Sequence, residues 1–487
     1  MQFNSIDFII FFIIIITTYF LINYKYRWII LLIGSYYFYM CWKPEYVFLI
    51  IFSTLIDYFC ALKMGSCKNL SDRKPYLLIS ILSNLGILFF FKYFNFFNQS
   101  FKDLFNHFNI FYNATTFDIL LPVGISFYTF QTLSYSIDVY RGNKKPETHL
   151  GIFAVYVSFF PQLVAGPIEK STHFLPQLNK NHNFNYIRFK EGILLMLWGF
   201  FKKIVIADRL AVLVNTVYNN PTDYQGITLI IATVFFAFQI YCDFSAYSDI
   251  AIGSARIMGY DLVTNFNLPY LSKSISEFWR RWHISLGAWF KEYLYLPLGG
   301  NRGTLIIKVR NIIIVFLISG LWHGANWTFI IWGGLHSIYM IIEIFFQKIK
   351  HKVSYIDDFF VKNKFYNLLQ VLFTFILVDF AWIFFRANSI QDAIYIIKNL
   401  FVIDLTVLSN KSLHKLGLDE KDLYLSILLI IFLIITQSYQ KNKNIINWVL
   451  SKNIVLRWTI YFLAIYSIFT FGYYAQGNQS QFIYFQF

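Results

Sequence analysis

Apolar runs about as long as a bilayer is thick recur along the whole chain, and its basic residues collect in the short loops between them. A helix needs about 20 apolar residues to cross the roughly 30 Å hydrocarbon layer. In lipid every backbone N–H and C=O must be satisfied within the protein, so this pattern folds into spanning helices. Only 14% of the residues are charged and 57% are hydrophobic, against about 25% charged in a soluble domain. The expected class is therefore an all-α polytopic membrane protein.

Spans are expected near 6–23, 28–43, 46–62, 76–97 and 117–137, with a less regular zone at 150–165, 191–216 and 227–259. A hairpin at 311–345 and spans at 367–385, 423–438 and 457–474 follow, giving roughly ten to twelve crossings. Pro161 and Gly166-Pro167 interrupt one apolar run, and broken backbone at membrane depth is tolerated only where protein buries it or it lines a cavity. The first run, Phe8 to Leu21, has no basic residue ahead of it, whereas a cleaved signal peptide carries its positive charge in front.

Charge assigns the sides. Segment 271–310 has seven basic residues against two acidic, 348–364 has five lysines against two aspartates, and 441–457 has four basic residues and no acid. These loops and 63–74 are expected to be cytoplasmic. The 98–116 loop and the uncharged 475–487 segment fall outside, which puts both termini outside the cytoplasm. A net charge of +15 distributed in this way follows the positive-inside pattern rather than the footprint of a nucleic-acid binder, so no nucleic-acid partner is expected. Four cysteines at 41, 60, 67 and 242 form no CxxC spacing, and no metal site is expected.

His323 stands out within NIIIVFLISGLWHGANWTFIIWGGLHS, residues 311–337, flanked by Trp322 and Trp327. An ionisable group inside a hydrophobic span is a functional-site hypothesis by default. A buried neutral imidazole can take a proton from a hydroxyl or thiol as that group attacks a carbonyl; it can equally be a hydrogen-bonding group between helices. Upstream, EFWRRWHISLGAWFKEYLYLPLGGNRG at 277–303 interleaves Arg280, Arg281 and Arg302 with Trp279 and Trp282, and contains His283. Its arginines suit the phosphates of an acyl donor, anionic lipid heads or topology anchoring. A third stretch, FQIYCDFSAYSDIAIG at 238–253, sets Gln239, Asp243, Ser245 and Asp249 among apolar residues. No GxSxG, GxxxxGK[ST] or HExxH motif occurs.

Several long strings resemble the membrane-bound O-acyltransferase (MBOAT) family, of its bacterial alginate and peptidoglycan O-acetylation type. They are LPVGISFYTFQTLSYSIDVYRG at 121–142, FPQLVAGPIE at 160–169, QIYCDFSAYSDIAIG at 239–253, FWRRWHISLGAWFKEYLYLPLGGNRG at 278–303, LWHGANWTFIIWGGLH at 321–336 and WIFFRA at 382–387. The resemblance implies one integral membrane domain over 1–487. Within it come N-terminal helices (1–115), a catalytic core (116–345), C-terminal helices (346–474) and an extracytoplasmic aromatic tail (475–487). It also implies a ring of helices with re-entrant segments around a central tunnel. The family's catalytic histidine falls on His323 and its second polar position on His283. Trp279, Trp282 and the three arginines would bind the donor. Gln239, Asp243, Ser245, Trp322 and Asn326 would support the tunnel. Acetyl-CoA is the implied donor, with an acyl carrier protein as the alternative, and no cofactor stays bound. The implied place is the bacterial inner membrane, with membrane lipid and an extracytoplasmic SGNH-type transferase or esterase as partners.

The chain's last residues, QFIYFQF, place Phe482, Tyr484 and Phe487 in an FxYxxF pattern. This is similar to the ending of the small partner of the teichoic acid D-alanyl transferase, which implies Tyr484 as an acyl carrier; an aromatic interfacial anchor is the other role for such a sequence. Competing classes are a D-alanyl or protein acyltransferase of the same family, and a transporter of a lipid-linked or anionic solute, to which broken helices and intramembrane polar groups also belong.

Overall fold

The computed structural model describes residues 1–112, 115–117, 120–352, 363–402, 417–441, 443, 445–474 and 482–483. Among the described residues there are helices and loops and no strand. Among the described residues eight helices are long and apolar enough to cross a membrane: Pro44–Ser66, Leu70–His107, Ile227–Met258, Leu305–His323, Trp327–Gln347, Lys364–Arg386, Glu420–Gln440 and Ile454–Phe471. The expected first span is a helix at Ile6–Leu21, whose 16 residues rise about 24 Å. The span expected at 117–137 begins only at Ile125, because Gly124 caps it in a left-handed conformation at φ 76°.

The chain divides into two compact units, Met1–Met196 with Ile250–Val263, and Leu197–Asp249 with Thr264–Phe487. In the first, Asp57 is fully buried among neutral groups. Its carboxylate accepts hydrogen bonds from Ser80 Oγ, from Ser136 Oγ at 3.1 Å and from Asn84 Nδ2 at 3.1 and 2.9 Å. These donors come from the helices Leu70–Leu88 and Ile125–Tyr140, so one buried acid joins three helices through bonds that hydrocarbon cannot supply.

The interruption foreseen at Pro161 ends the helix Leu150–Ser158. The Tyr156 carbonyl, beyond the reach of a regular helical partner, accepts instead from the Gln131 and Gln162 side-chain amides. Phe160 N–H donates to Ser35 Oγ at 3.0 Å. Broken backbone is thus re-satisfied side chain by side chain. Gly124 belongs to the same arrangement: a Cβ there would lie 2.6 Å from the Leu163 carbonyl oxygen. Glu169, fully buried, accepts from Val263 N–H at 2.6 Å and pairs with His173 at 2.7 Å.

The second unit contains the hairpin of Leu305–His323 and Trp327–Lys352. Its two helices meet at glycines; a Cβ on Gly320 would lie 2.2 Å from the Phe329 carbonyl oxygen. Small residues give this close approach in membrane interfaces. Gly320→Ala is expected to destabilise the protein by about 1–3 kcal/mol through overpacking, measured as a lowered Tm of the detergent-solubilised protein.

Two short helices, Ile275–Arg281 and Ile284–Phe290, precede that hairpin. Seven residues rise about 10 Å, too little to cross. A π-helical segment at Phe201–Ala207 interrupts the helical run that begins at Tyr186. Such insertions mark functional positions more often than chance.

Candidate active site

The segment between the two short helices turns on one residue. His283 has φ 44°, in the left-handed region that side chains other than glycine seldom adopt. Strain of this kind persists only where the surroundings enforce it, and it concentrates at functional sites. The enforcing partner is Asn265. Its backbone carbonyl accepts from Ile284 N–H at 2.9 Å, and its Oδ1 accepts from Ser285 N–H at 3.2 Å and Ser285 Oγ at 2.8 Å.

The same Oδ1 lies 3.2 Å from His283 Nδ1. A backbone N–H can only donate, so the Asn265 atom it meets is an acceptor, and Nδ1 must therefore carry the imidazole proton. Nε2 is left as the basic nitrogen. His283 is 1% exposed and lies outside the candidate spans; burial pushes its pKa down to about 3. The imidazole is neutral at physiological pH.

His323 ends the helix Leu305–His323 and is 3% exposed. Its ring centroid lies 6.5 Å from that of His283. Trp322 and Trp332, each at 5.0 Å, and Phe385 at 5.3 Å pack around it. The geometry brings together two buried imidazoles from different elements, one with a defined tautomer, within an aromatic wall. Such a pair can accept a proton from an attacking hydroxyl or thiol and orient a carbonyl.

A third buried histidine was not singled out by sequence. His336 Nδ1 accepts from Trp279 Nε1 at 3.3 Å, so its proton sits on Nε2. Its ring lies 4.9 Å from Trp332, which also touches His323. Trp279 is thus engaged with His336. Trp282, 1% exposed, packs on Trp382 at 5.1 Å and Phe278 at 5.5 Å.

Of the three arginines, Arg280 and Arg302 are exposed, while Arg281 pairs with Glu277 at 2.6 Å. Trp322 is buried beside His323. Asn326 caps the second arm of the hairpin: its Oδ1 accepts from Thr328 N–H at 3.0 Å and its Nδ2 donates to the Asn388 carbonyl. Gln239 is buried on the helix Ile227–Met258. Tyr484 and Phe487 lie outside the described residues; Phe482 is described and buried.

Asp243 and Ser245 belong to an ion network whose cations sequence reading missed. Lys203 Nζ lies 2.7 Å from Asp243 and 2.8 Å from Asp208. Lys202 Nζ lies 2.8 Å from Asp249 and donates to Ser245 Oγ at 2.7 Å. Ser245 and Asp249 are four apart on one helix and so share a face, which lets one ammonium reach both. Both lysines sit in the π-helical segment. Their signal was present in FFKKIVIAD, two adjacent cations inside an apolar run. Asn265, in the loop string TNFN, gave no comparable signal.

Asn265→Ala is expected to lower acyl transfer about 10–100-fold, taking as a guide the loss when the partner that orients a metal-bound histidine is removed. Asn265→Asp should recover part of that loss, since a carboxylate still accepts from Nδ1–H. Initial-rate assays on purified variants check both.

These features define an integral membrane protein whose buried histidine pair is suited to proton transfer during acyl transfer. The family model described as MBOAT, membrane-bound O-acyltransferase family, matches residues 147–385. The chain is 37% identical over 447 residues to the probable alginate O-acetylase AlgI of Pseudomonas aeruginosa, covering 91% of this chain and 83% of the relative. With the peptidoglycan O-acetyltransferase of Helicobacter pylori it shares 32% identity over 501 residues, covering 94% and 91%. The teichoic acid D-alanyltransferase of Bacillus subtilis is 26% identical over 280 residues, covering 55% and 69%. The chain belongs to the membrane-bound O-acyltransferase family and is an acyltransferase.

Proposed function

We propose that this protein moves an acetyl group from a cytoplasmic donor, acetyl-CoA, across the bacterial inner membrane for O-acetylation of a cell-envelope polysaccharide. The observation that carries this reading is the buried His283–His323 pair, 6.5 Å apart, in a chain whose relatives include O-acetylating proteins for alginate and for peptidoglycan. His323 acts as general base, and His283, held by Asn265, polarises or positions the reacting carbonyl. The loops with excess lysine and arginine face the cytoplasm, where the donor is, and both termini face away from it.

The acyl group passes to Tyr484 or directly to the acceptor. In the first case the phenolic oxygen attacks the thioester carbonyl, His323 takes the phenolic proton, and the CoA thiolate leaves and takes up a proton. An extracytoplasmic SGNH-type partner then places the acetyl group on a polysaccharide hydroxyl, in peptidoglycan or an alginate-like polymer.

Ester analysis of each envelope polymer from cells with and without the intact gene tests the reading. Loss of O-acetyl groups from one polymer is expected; unchanged O-acetyl content in every polymer overturns it. Tyr484→Phe is expected to lower transfer at least tenfold, and mass analysis under turnover should find one acetyl group on the peptide containing Tyr484. Full activity in that variant would remove the carrier role.

A further inference from the structure

Asp243 holds more than the counter-ion of Lys203. Its Oδ1 lies 2.7 Å from the Lys203 ammonium, while its Oδ2 accepts a buried hydrogen bond from Ile483 N–H at 2.7 Å. Two hundred and forty residues separate these partners in sequence. Phe482 and Ile483 are 5% and 2% exposed. The Phe482 ring packs 4.8 Å from Tyr247 and 6.0 Å from Phe244, and Phe244 in turn lies 4.7 Å from the His283 ring. An aromatic path therefore runs from this segment to the histidine pair.

We propose that Asp243, charged and oriented by Lys203, is the docking carboxylate that seats the 482–483 segment in the second unit and fixes its register toward His283. Lys203 already has a counter-ion in Asp208, at 2.8 Å. The Lys203 ammonium is shared between two carboxylates, and a buried carboxylate is stabilised by further donors. The Ile483 amide is such a donor, and hydrogen bonds to an ionised acceptor are the stronger kind. Because the bond is made by backbone, it sets position independently of side chain, while the Tyr247 and Phe244 rings select an aromatic residue at 482. Asp243 is a positioning residue. Its consequence for transfer rests on the carrier reading above, since Tyr484 follows Ile483 in the chain; the docking itself does not.

The test replaces Phe482 with the photo-crosslinker p-benzoylphenylalanine in the full chain and maps the product by mass spectrometry. Crosslinking to the peptide that contains Phe244 and Tyr247 is expected. Adding Ile483→Val keeps the amide and should keep the yield, whereas Ile483→Pro removes the donor while leaving every charged side chain in place and should lower the yield at least fivefold. Asp243→Asn should lower it at least threefold; if that variant does not fold, Ile483→Pro decides alone. A product mapping to another segment, or an undiminished yield with Ile483→Pro, overturns the proposal. In acetyl-transfer assays without the crosslinker, Ile483→Pro should lower kcat at least tenfold with the KM for acetyl-CoA within twofold. A fully active Tyr484→Phe with the crosslink intact would count against the carrier and leave the docking site standing.

Discussion

His323→Ala is expected to reduce acetyl transfer by about 10²–10⁴-fold, the range associated with loss of a general base. The variant should still fold. His323 ends its helix, so truncation removes no side chain from the middle of the hairpin interface, and the glycine contact at Gly320 remains. Size-exclusion profile and Tm establish folding, and initial rates establish the loss. His283→Ala should reduce transfer less, by about 10–100-fold, as for a positioning group. Equal losses at the two positions would show that the pair acts as one unit, and the double variant would then be no slower than either single one.

Neutrality of His283 has its own consequence. Burial lowers its pKa from about 6.5 to about 3, so the folded state resists a proton that the unfolded state accepts. Stability from this group is present above pH 6.5 and is lost as pH falls from about 6.5 toward 3. Thermal unfolding of wild type and His283→Gln, compared at pH 7.5 and 5, should show the larger decline in wild type.

Lys203→Met should be the most destabilising single change among the charged residues considered. Lys203, Asp208 and Asp243 have side chains 9%, 8% and 3% exposed. Removing the cation that both buried carboxylates share is a loss of about 3–5 kcal/mol. The expected result is a Tm lower by roughly 5–10 °C and reduced yield from membranes. Changing the carboxylates as well, in Lys203→Met with Asp208→Asn and Asp243→Asn, should recover part of this stability, since a buried ion group replaced as a whole is often tolerated. Arg280→Ala, at an exposed position, should stay within about 0.5 kcal/mol of wild type. A neutral effect of Lys203→Met on stability would show that the acids are held by other donors.

Much of the architecture could be read from residue order because lipid allows so few solutions. A run such as Leu425–Ile435 has one stable form in hydrocarbon, a helix, and the structure places it in the span Glu420–Gln440. The same reasoning reached the break at Pro161, since proline has no N–H to continue a helix. It also singled out His323, because an ionisable group in an apolar stretch conflicts with its surroundings and so stands out in a linear sequence; His283, among arginines and aromatics, drew notice through the family resemblance.

What the linear sequence could not contain was pairing. Asn265 orients His283 across eighteen positions, and Asp243 receives the Ile483 amide across two hundred and forty. Neither asparagine in a polar loop nor an amide hydrogen has a hydropathy or spacing signature; their roles exist only once two segments are folded side by side. Trp282 shows the converse. Beside two arginines it reads as part of an aromatic and cationic surface; just past the helix Ile275–Arg281 its backbone is extended and its ring packs on Phe278 and Trp382, a placement that residue order does not specify. The sequence by itself determined that this chain must be helical, must lie in a membrane and carries a histidine inside an apolar span, since local hydropathy decides those matters. The tertiary structure alone decided which nitrogen of His283 carries the proton and what Asp243 holds, because hydrogen bonds depend on distance and direction between groups far apart in the chain.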